Sequence, residues 1–345
     1  MHLPAYTANA GESPAPRKKR RRGRIILALT AGFFAAATAL TLLTPYPVSF
    51  LARAMFQNGV AAAPDGYALT AERVSVEKNL RYPSKYKDNT ADIYLPKNQE
   101  GPFPVVLWVH GGAFVGGDKK DIEIYATALA AEGFAVVSMN YRRAPEAQYP
   151  TPVIQTVEAY RWLTTLSGDY PLDLDRLVLA GDSAGAHIAA QVAAIQTNGR
   201  YANEMAVEQA IPPGTLKAVL LFCGPFDVSK LSEIENPLMS FLLTKTAQAY
   251  FGRGIRTGAL ANQATIPNHV TNAFPPAFIS DGNTGSLENH SRGLADTLAQ
   301  HGVPFETYFI PLETETAKHE YQFIMNTPAG KESFLRTLVF LKKHV

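Results

Sequence analysis

The chain has a single cysteine in 345 residues, Cys223, so no internal disulfide can form. That count leaves the redox compartment open. Cys223 sits in the apolar run VLLFC and reads as an inert core residue. There is no internal repeat, which excludes a repeat architecture. There is no metal-ligand spacing, and the glycines of HGGAFVGG (residues 110–117) lack the Lys-Ser/Thr continuation of a phosphate loop. Neither a metal nor an organic cofactor is expected. Charge is scarce too: the formal net charge is +2, and seven basic residues lie between Arg17 and Arg24. The remainder carries 25 basic against 30 acidic residues, a mildly acidic body that argues against a nucleic-acid surface.

What the first 71 residues hold is equally one-sided. Residues 1–16 have no periodicity and, with the basic run to residue 24, read as a disordered cytoplasmic tail. Ile25 to Leu43 contains no charge. As a helix its 19 residues span about 28 Å, close to the ~30 Å hydrocarbon core. The basic block should stay cytoplasmic, which places the rest of the chain outside. A cleaved signal with Ala37-Thr38-Ala39 as its site is the rival, and would give a secreted protein. Residues 44–71 read as a linker with a short amphipathic piece near Val48 to Phe56.

From Glu72 short apolar runs alternate with helical stretches. Strands are expected near 72–81, 91–95, 104–109, 134–140, 177–180, 218–222, 276–280 and 305–310. Helices are expected at 122–132, 153–166 and 331–343, among others. Such alternation implies an α/β fold, a mostly parallel sheet with helices on both faces, for a domain of residues 72–345. Residues 229–262 interrupt it as a possible cap or lid.

The chemistry centres on LVLAGDSAGAHIAA, residues 177–190. Gly181-Asp182-Ser183-Ala184-Gly185 fits G-x-S-x-G, with a strand before it and an alanine-rich helix after it. That context marks Ser183 as a candidate nucleophile on a sharp strand-to-helix turn. Strand 105–109 ends in His110-Gly111-Gly112-Ala113-Phe114. Amides there, at Gly112 and Ala113, together with that of Ala184, would form an oxyanion hole.

HGGAF, NYRRAPE (140–146) with YPTP, and GDSAG together resemble the HGG-motif serine esterases, the hormone-sensitive-lipase-like group of α/β-hydrolases. The resemblance runs from about Val74 to the C-terminus. It implies hydrolysis of a small-molecule carboxylic ester by a Ser, acid, His triad in that chain order. The base is then expected after the last strand, where His319 stands in Lys318-His319-Glu320-Tyr321. His110 reads as a structural hydrogen-bonder, His187 as packed or lining the site, and His290 and His301 as solvent-facing.

The acid departs from the pattern, because Gly285 stands where relatives carry Asp. Two carboxylates are near. If Gly285 is an N-cap, Glu288 is N3 and reaches back toward it, which makes Glu288 the first choice. Asp281 at the strand end is the alternative. Asp182 reads as a local structural group. Amide hydrolysis or acyl transfer would use the same residues, and a membrane-anchored binding protein without turnover is the reading from another class. The oligomeric state is not legible.

Overall fold

The structure, a computed structural model, describes residues 1, 11, 17–56, 59–231, 237–255 and 258–345. The chain divides into two units, Met1–Thr44 and Pro45–Val345. In the first, α1 (Arg17–Leu43) is one helix. Its Gly23–Leu43 stretch has mean hydropathy 2.1 and is not buried at all, so it is long and apolar enough to cross a membrane. The expected disordered tail is corrected over residues 17–24, which are helical; residues 2–10 and 12–16 lie outside the described residues.

The second unit begins with α2 (Tyr46–Met55) and α3 (Tyr67–Glu72). Of the stretch read as a linker, residues 45–56 and 59–71 therefore belong to the second unit, and 57–58 lie outside the described residues. Val48, Ser49 and Ala52 are buried, and Arg53 ties α2 down by donating to Val115 O, Ala144 O and both Glu146 oxygens at 2.6–2.8 Å. Strands β1 (Val74–Arg81), β2 (Thr90–Pro96), β3 (Phe103–Val109) and β4 (Ala135–Met139) follow, with α4 (Glu123–Ala131) between the last two. Then come α5 (Thr151–Leu166), β5 (Leu172–Asp182), α6 (Ala184–Thr197), α7 (Gly199–Met205) and β6 (Leu216–Phe222). After α8 (Pro237–Phe251) and α9 (Ala259–Ala264) the chain closes with β7 (Ala277–Asp281), α10 (Glu288–Gln300), β8 (Phe305–Phe309) and α11 (Pro328–His344).

The strands form one eight-stranded sheet in the order β1-β2-β4-β3-β5-β6-β7-β8. Only the β1/β2 and β2/β4 pairs are antiparallel; every pair from β4/β3 to β7/β8 is parallel. The period-2 geometry of a strand sends alternate side chains to opposite faces. Val105, Leu107 and Val109 join one core with Val153 of α5, Ile188 of α6 and Leu294 of α10. Val106 and Trp108 join the other with Leu129 of α4 and Phe340 of α11. Both faces are covered, which is why β3 is buried throughout and reads as a continuous apolar run.

Parallel strands put all their C-terminal ends on one edge of the sheet. Ser183 follows β5, the 110–114 loop follows β3, and the loops after β7 and β8 lie on the same edge. The insertion between β6 and β7 is helical: α8 and α9 occupy most of residues 229–262, while 232–236 and 256–257 lie outside the described residues.

Candidate active site

Ser183 connects β5 to α6 with φ 50° and ψ −121°, a backbone conformation L-residues rarely adopt. Its own amide donates to Phe222 O at 2.7 Å, holding the turn against β6. A Cβ at Gly185 would collide with the carbonyl oxygens of Val109 and His110. Glycine there lets the first turn of α6 rest against the end of β3, next to the His110–Phe114 loop.

His319 reaches Ser183 from the loop between β8 and α11. Its Nε2 is 3.0 Å from Ser183 Oγ. Asn283 anchors that loop: its Nδ2 donates to Ile310 O and Glu315 O, and its Oδ1 accepts from Ala317 N. Gly282 has no Cβ to strike Lys318 O, so the loops after β7 and β8 lie flat on each other.

On the other side of the ring, His319 Nδ1 is 2.8 Å from Ser286 Oγ. The Ser286 hydroxyl in turn donates to Asp281 Oδ1 in a very short hydrogen bond. A hydroxyl has one proton, so Ser286 accepts from Nδ1–H, and Nε2 is left as the acceptor for Ser183. Asp281 is fully buried; Ser291 Oγ donates to its Oδ2 at 2.6 Å and Leu287 N to its Oδ1 at 3.4 Å. Burial raises the Asp281 carboxyl to about 6 and depresses the His319 imidazole to about 4.

Glu288, the carboxylate preferred from sequence, is not brought to His319. The helix starts later than the capping argument required: Leu287 is the N-cap and Glu288 the first helical residue, so its side chain does not turn back. It accepts instead from Arg292 Nε at 2.7 Å, one turn along α10. Sequence reasoning missed Ser286 altogether, although a hydroxyl residue beside Gly285 was a signal. His290 is also corrected, since it is buried and its Nδ1 accepts from Asp227 N at 3.2 Å. The other expected histidines lie away from the Ser183 relay. His187 Nε2 bonds Ala264 O at 2.8 Å, and the His110 ring stacks on Tyr141 at 4.4 Å.

Behind the His110–Phe114 loop lies a second group of carboxyls. Asp182 accepts from Trp108 Nε1 and from Gly111 N, each at 2.8 Å, and so pins the start of the HGG loop. Glu320, beside the histidine, is hydrogen-bonded to Asp182. Burial first, then mutual repulsion, pushes Glu320 well above the carboxylate range, and burial raises Asp182 to about 7. One proton shared between them keeps excess negative charge away from the place where an oxyanion would form. The folded chain thus holds a proton near neutral pH that the unfolded chain releases. Stability from the raised Asp182 carboxyl is complete below about pH 4 and is lost as pH rises through about 7, while that from Glu320 persists to higher pH. Between pH 5 and 8 the parent should therefore lose more Tm, or gain less, than Glu320→Gln; identical pH slopes in the two would show that the pair holds no such proton.

Ser183, His319, Gly112 and Ala113 line a cavity of about 270 Å³ together with Met55, the last residue of α2, Phe56 just after it, and Met239 and Leu243 of α8. Among the described residues one group of His, Cys and acidic side chains has metal-compatible spacing, Cys223, Asp281 and His319, and two of these belong to the relay.

Residues 91–297, well over half the chain, match the family profile described as BD-FAE. The esterase LipI of Mycobacterium tuberculosis is 30% identical over 259 residues, covering 72% of this chain and 76% of that one. The chain belongs to the hormone-sensitive-lipase-like esterases of the α/β-hydrolase fold. It is a carboxylic-ester hydrolase. The carboxylesterase NlhH of the same organism is 28% identical over 260 residues, covering 73% of this chain and 77% of its own. Among solved structures, esterase B of Lactobacillus rhamnosis has the same fold, with a TM-score of 0.71 at 24% identity over 93% of this chain and 95% of that one.

Proposed function

We propose that the enzyme cleaves esters through an acyl-enzyme on Ser183, with His319 as general base and Asp281 acting on it through Ser286. The continuous hydrogen-bond path Ser183–His319–Ser286–Asp281 carries this reading. Ser183 Oγ attacks the ester carbonyl as Nε2 takes its proton, and the carbonyl oxygen becomes an oxyanion. The amides of Ser183 and Gly111 are already spent on Phe222 O and Asp182. Those of Gly112, Ala113 and Ala184 are the donors we assign to the oxyanion, each worth ~10²–10³ in rate. His319 then protonates the leaving alcohol, and water repeats the cycle on the acyl-enzyme. Imidazolium formed during attack donates through Ser286 to the Asp281 carboxylate, which answers its charge. Glu288 stays outside the scheme, its carboxylate held by Arg292. Amide cleavage or acyl transfer to another acceptor would use the same relay, and no observation favours either. The intact Ser183–His319 contact speaks against a protein that only binds.

The same reading takes α1 as an uncleaved anchor, with the basic Arg17–Arg24 run cytoplasmic and the hydrolase outside. A fluorophosphonate should phosphonylate the full chain once, at Ser183, and peptide mass mapping locates the adduct. An unlabelled but folded and soluble-ester-inactive protein would overturn the mechanism.

A further inference from the structure

Helix α2 has a second face that packing leaves unused. Its inner side, Val48, Ser49 and Ala52, is buried; its single charge, Arg53, is neutralised by Glu146 at the edge of the helix, with the guanidinium lying over the Phe50 ring at 5.5 Å. The outer side presents Tyr46, Phe50, Leu51 and Met55, exposed by 51–63%, with no charged group among them. Helix α8 packs against α2 and adds to this patch at its first turn, where Leu238 is 77% exposed and Met239 and Phe241 more than a third. A contiguous apolar surface of this kind on a folded body marks an interaction site.

The patch is also the mouth of the cavity. Met55 and Met239 line the cavity and are exposed at the same time, as is Val60. Residues with both properties stand where a cavity opens.

The sequence fixes what lies beside it. Gly23–Leu43 is the apolar helix long enough to span a bilayer. Three Cα steps join Leu43 to Tyr46, at most about 11 Å of chain. Once α1 is in a bilayer, α2 has no reach beyond its headgroup layer, and a helix with one apolar face, its one cation paired at the edge, settles there with that face ~5–10 Å into the headgroup and acyl boundary.

We propose that the outer face of α2 and the first turn of α8 lie on the bilayer that α1 enters, so that the catalytic cavity opens onto lipid. Its substrates are then amphipathic esters drawn from the membrane, glycerolipid-like molecules with an apolar tail, rather than small soluble esters. This rests on the esterase and anchor readings above.

Depth can be measured without turnover. Cys223 is buried, so a cysteine placed at the surface can be labelled selectively. Full-length Leu51→Cys, Leu238→Cys and, as a control on α11, Leu335→Cys (native Leu335 is 55% exposed) would carry the dye NBD in phosphatidylcholine vesicles. Spin-labelled lipid should quench the dye at 51 and 238 and not at 335. Quenching at 51 and 238 no greater than at 335 would overturn the docking. For the substrate class, the double variant Phe50→Glu/Leu51→Glu should lose about tenfold on dioleoylglycerol in the same vesicles. Its turnover of p-nitrophenyl acetate and its fluorophosphonate labelling should stay within about twofold. Equal change on both substrates, or on neither, would sink the substrate claim. Absence of both turnover and labelling in the parent chain would instead strike the esterase mechanism, while the dye measurement would still report docking.

Discussion

Ser183→Ala should lower kcat/KM on p-nitrophenyl butyrate by about 10⁶, to the level left by binding and the oxyanion amides alone. The expectation follows from geometry, because among the described residues Ser183 Oγ, at 3.0 Å, is the hydroxyl bonded to His319 Nε2. Ser286 is the nearest candidate, yet it lies on the Nδ1 side of the ring and its proton is committed to Asp281. The variant should fold normally, since only one oxygen is removed and the Ser183 amide still bonds Phe222 O. A companion, Ser183→Gly, separates chemistry from stability. Ser183 is held at φ 50°, where a side chain is strained by ~1–3 kcal/mol. Glycine relieves that strain, so Ser183→Gly should be as inactive as Ser183→Ala while melting several degrees higher. If Ser183→Ala kept more than about a hundredth of parental activity, the nucleophile would have to be sought elsewhere.

The meeting of Ser183 and His319 was legible in the chain because their positions are set by connectivity. A serine between an apolar strand and an alanine-rich helix, and a histidine after the last strand, must reach the C-terminal edge of a parallel sheet. The Asp281–Ser286–His319 path was not legible for a related reason. Asp281 reaches His319 through Ser286, and that path depends on how residues 282–287 fold back onto 315–319 through Asn283 and Gly282. No periodicity records such loop-on-loop contact. Glu288 was favoured by a capping rule whose premise, a helix starting after Gly285, failed by two residues, the usual uncertainty of a helix end. Residues 44–71 misled in the same way. Prolines at 45, 47 and 64 suggest a loose connection, whereas Arg53 clamps the segment onto the body by long-range hydrogen bonds with partners 62 to 93 residues away. His290 read as exposed because its bond to Asp227 N comes from an insertion whose packing sequence does not reveal.

Asp281→Asn is the second large effect: kcat/KM at pH 7.5 should fall by ~10³–10⁴, with Glu288→Gln unchanged within about twofold. A buried carboxylate in this position does two things. It orients the ring through a hydroxyl whose proton it accepts, and it answers the positive charge the ring gains during attack. Asparagine keeps the shape and loses the charge, so the deficit should fall on kcat rather than on KM. Ser286→Ala should lie between, at about 10–10², because the carboxylate remains while the bond that transmits it is cut. The pH profile supplies an independent readout. His319 is held to about 4 by desolvation and is already neutral at pH 5, whereas Asp281 is raised to about 6. The acid limb of kcat/KM in the parent should therefore have its midpoint near 6 and report protonation of Asp281. In Asp281→Asn that limb should vanish, leaving the imidazole to set a new one nearer 4. A variant series in which Glu288→Gln shows the larger loss and the shifted limb would return the role of acid to Glu288. Equal, small losses in both would mean that Ser286 alone orients the ring, and that the imidazolium is stabilised without a carboxylate.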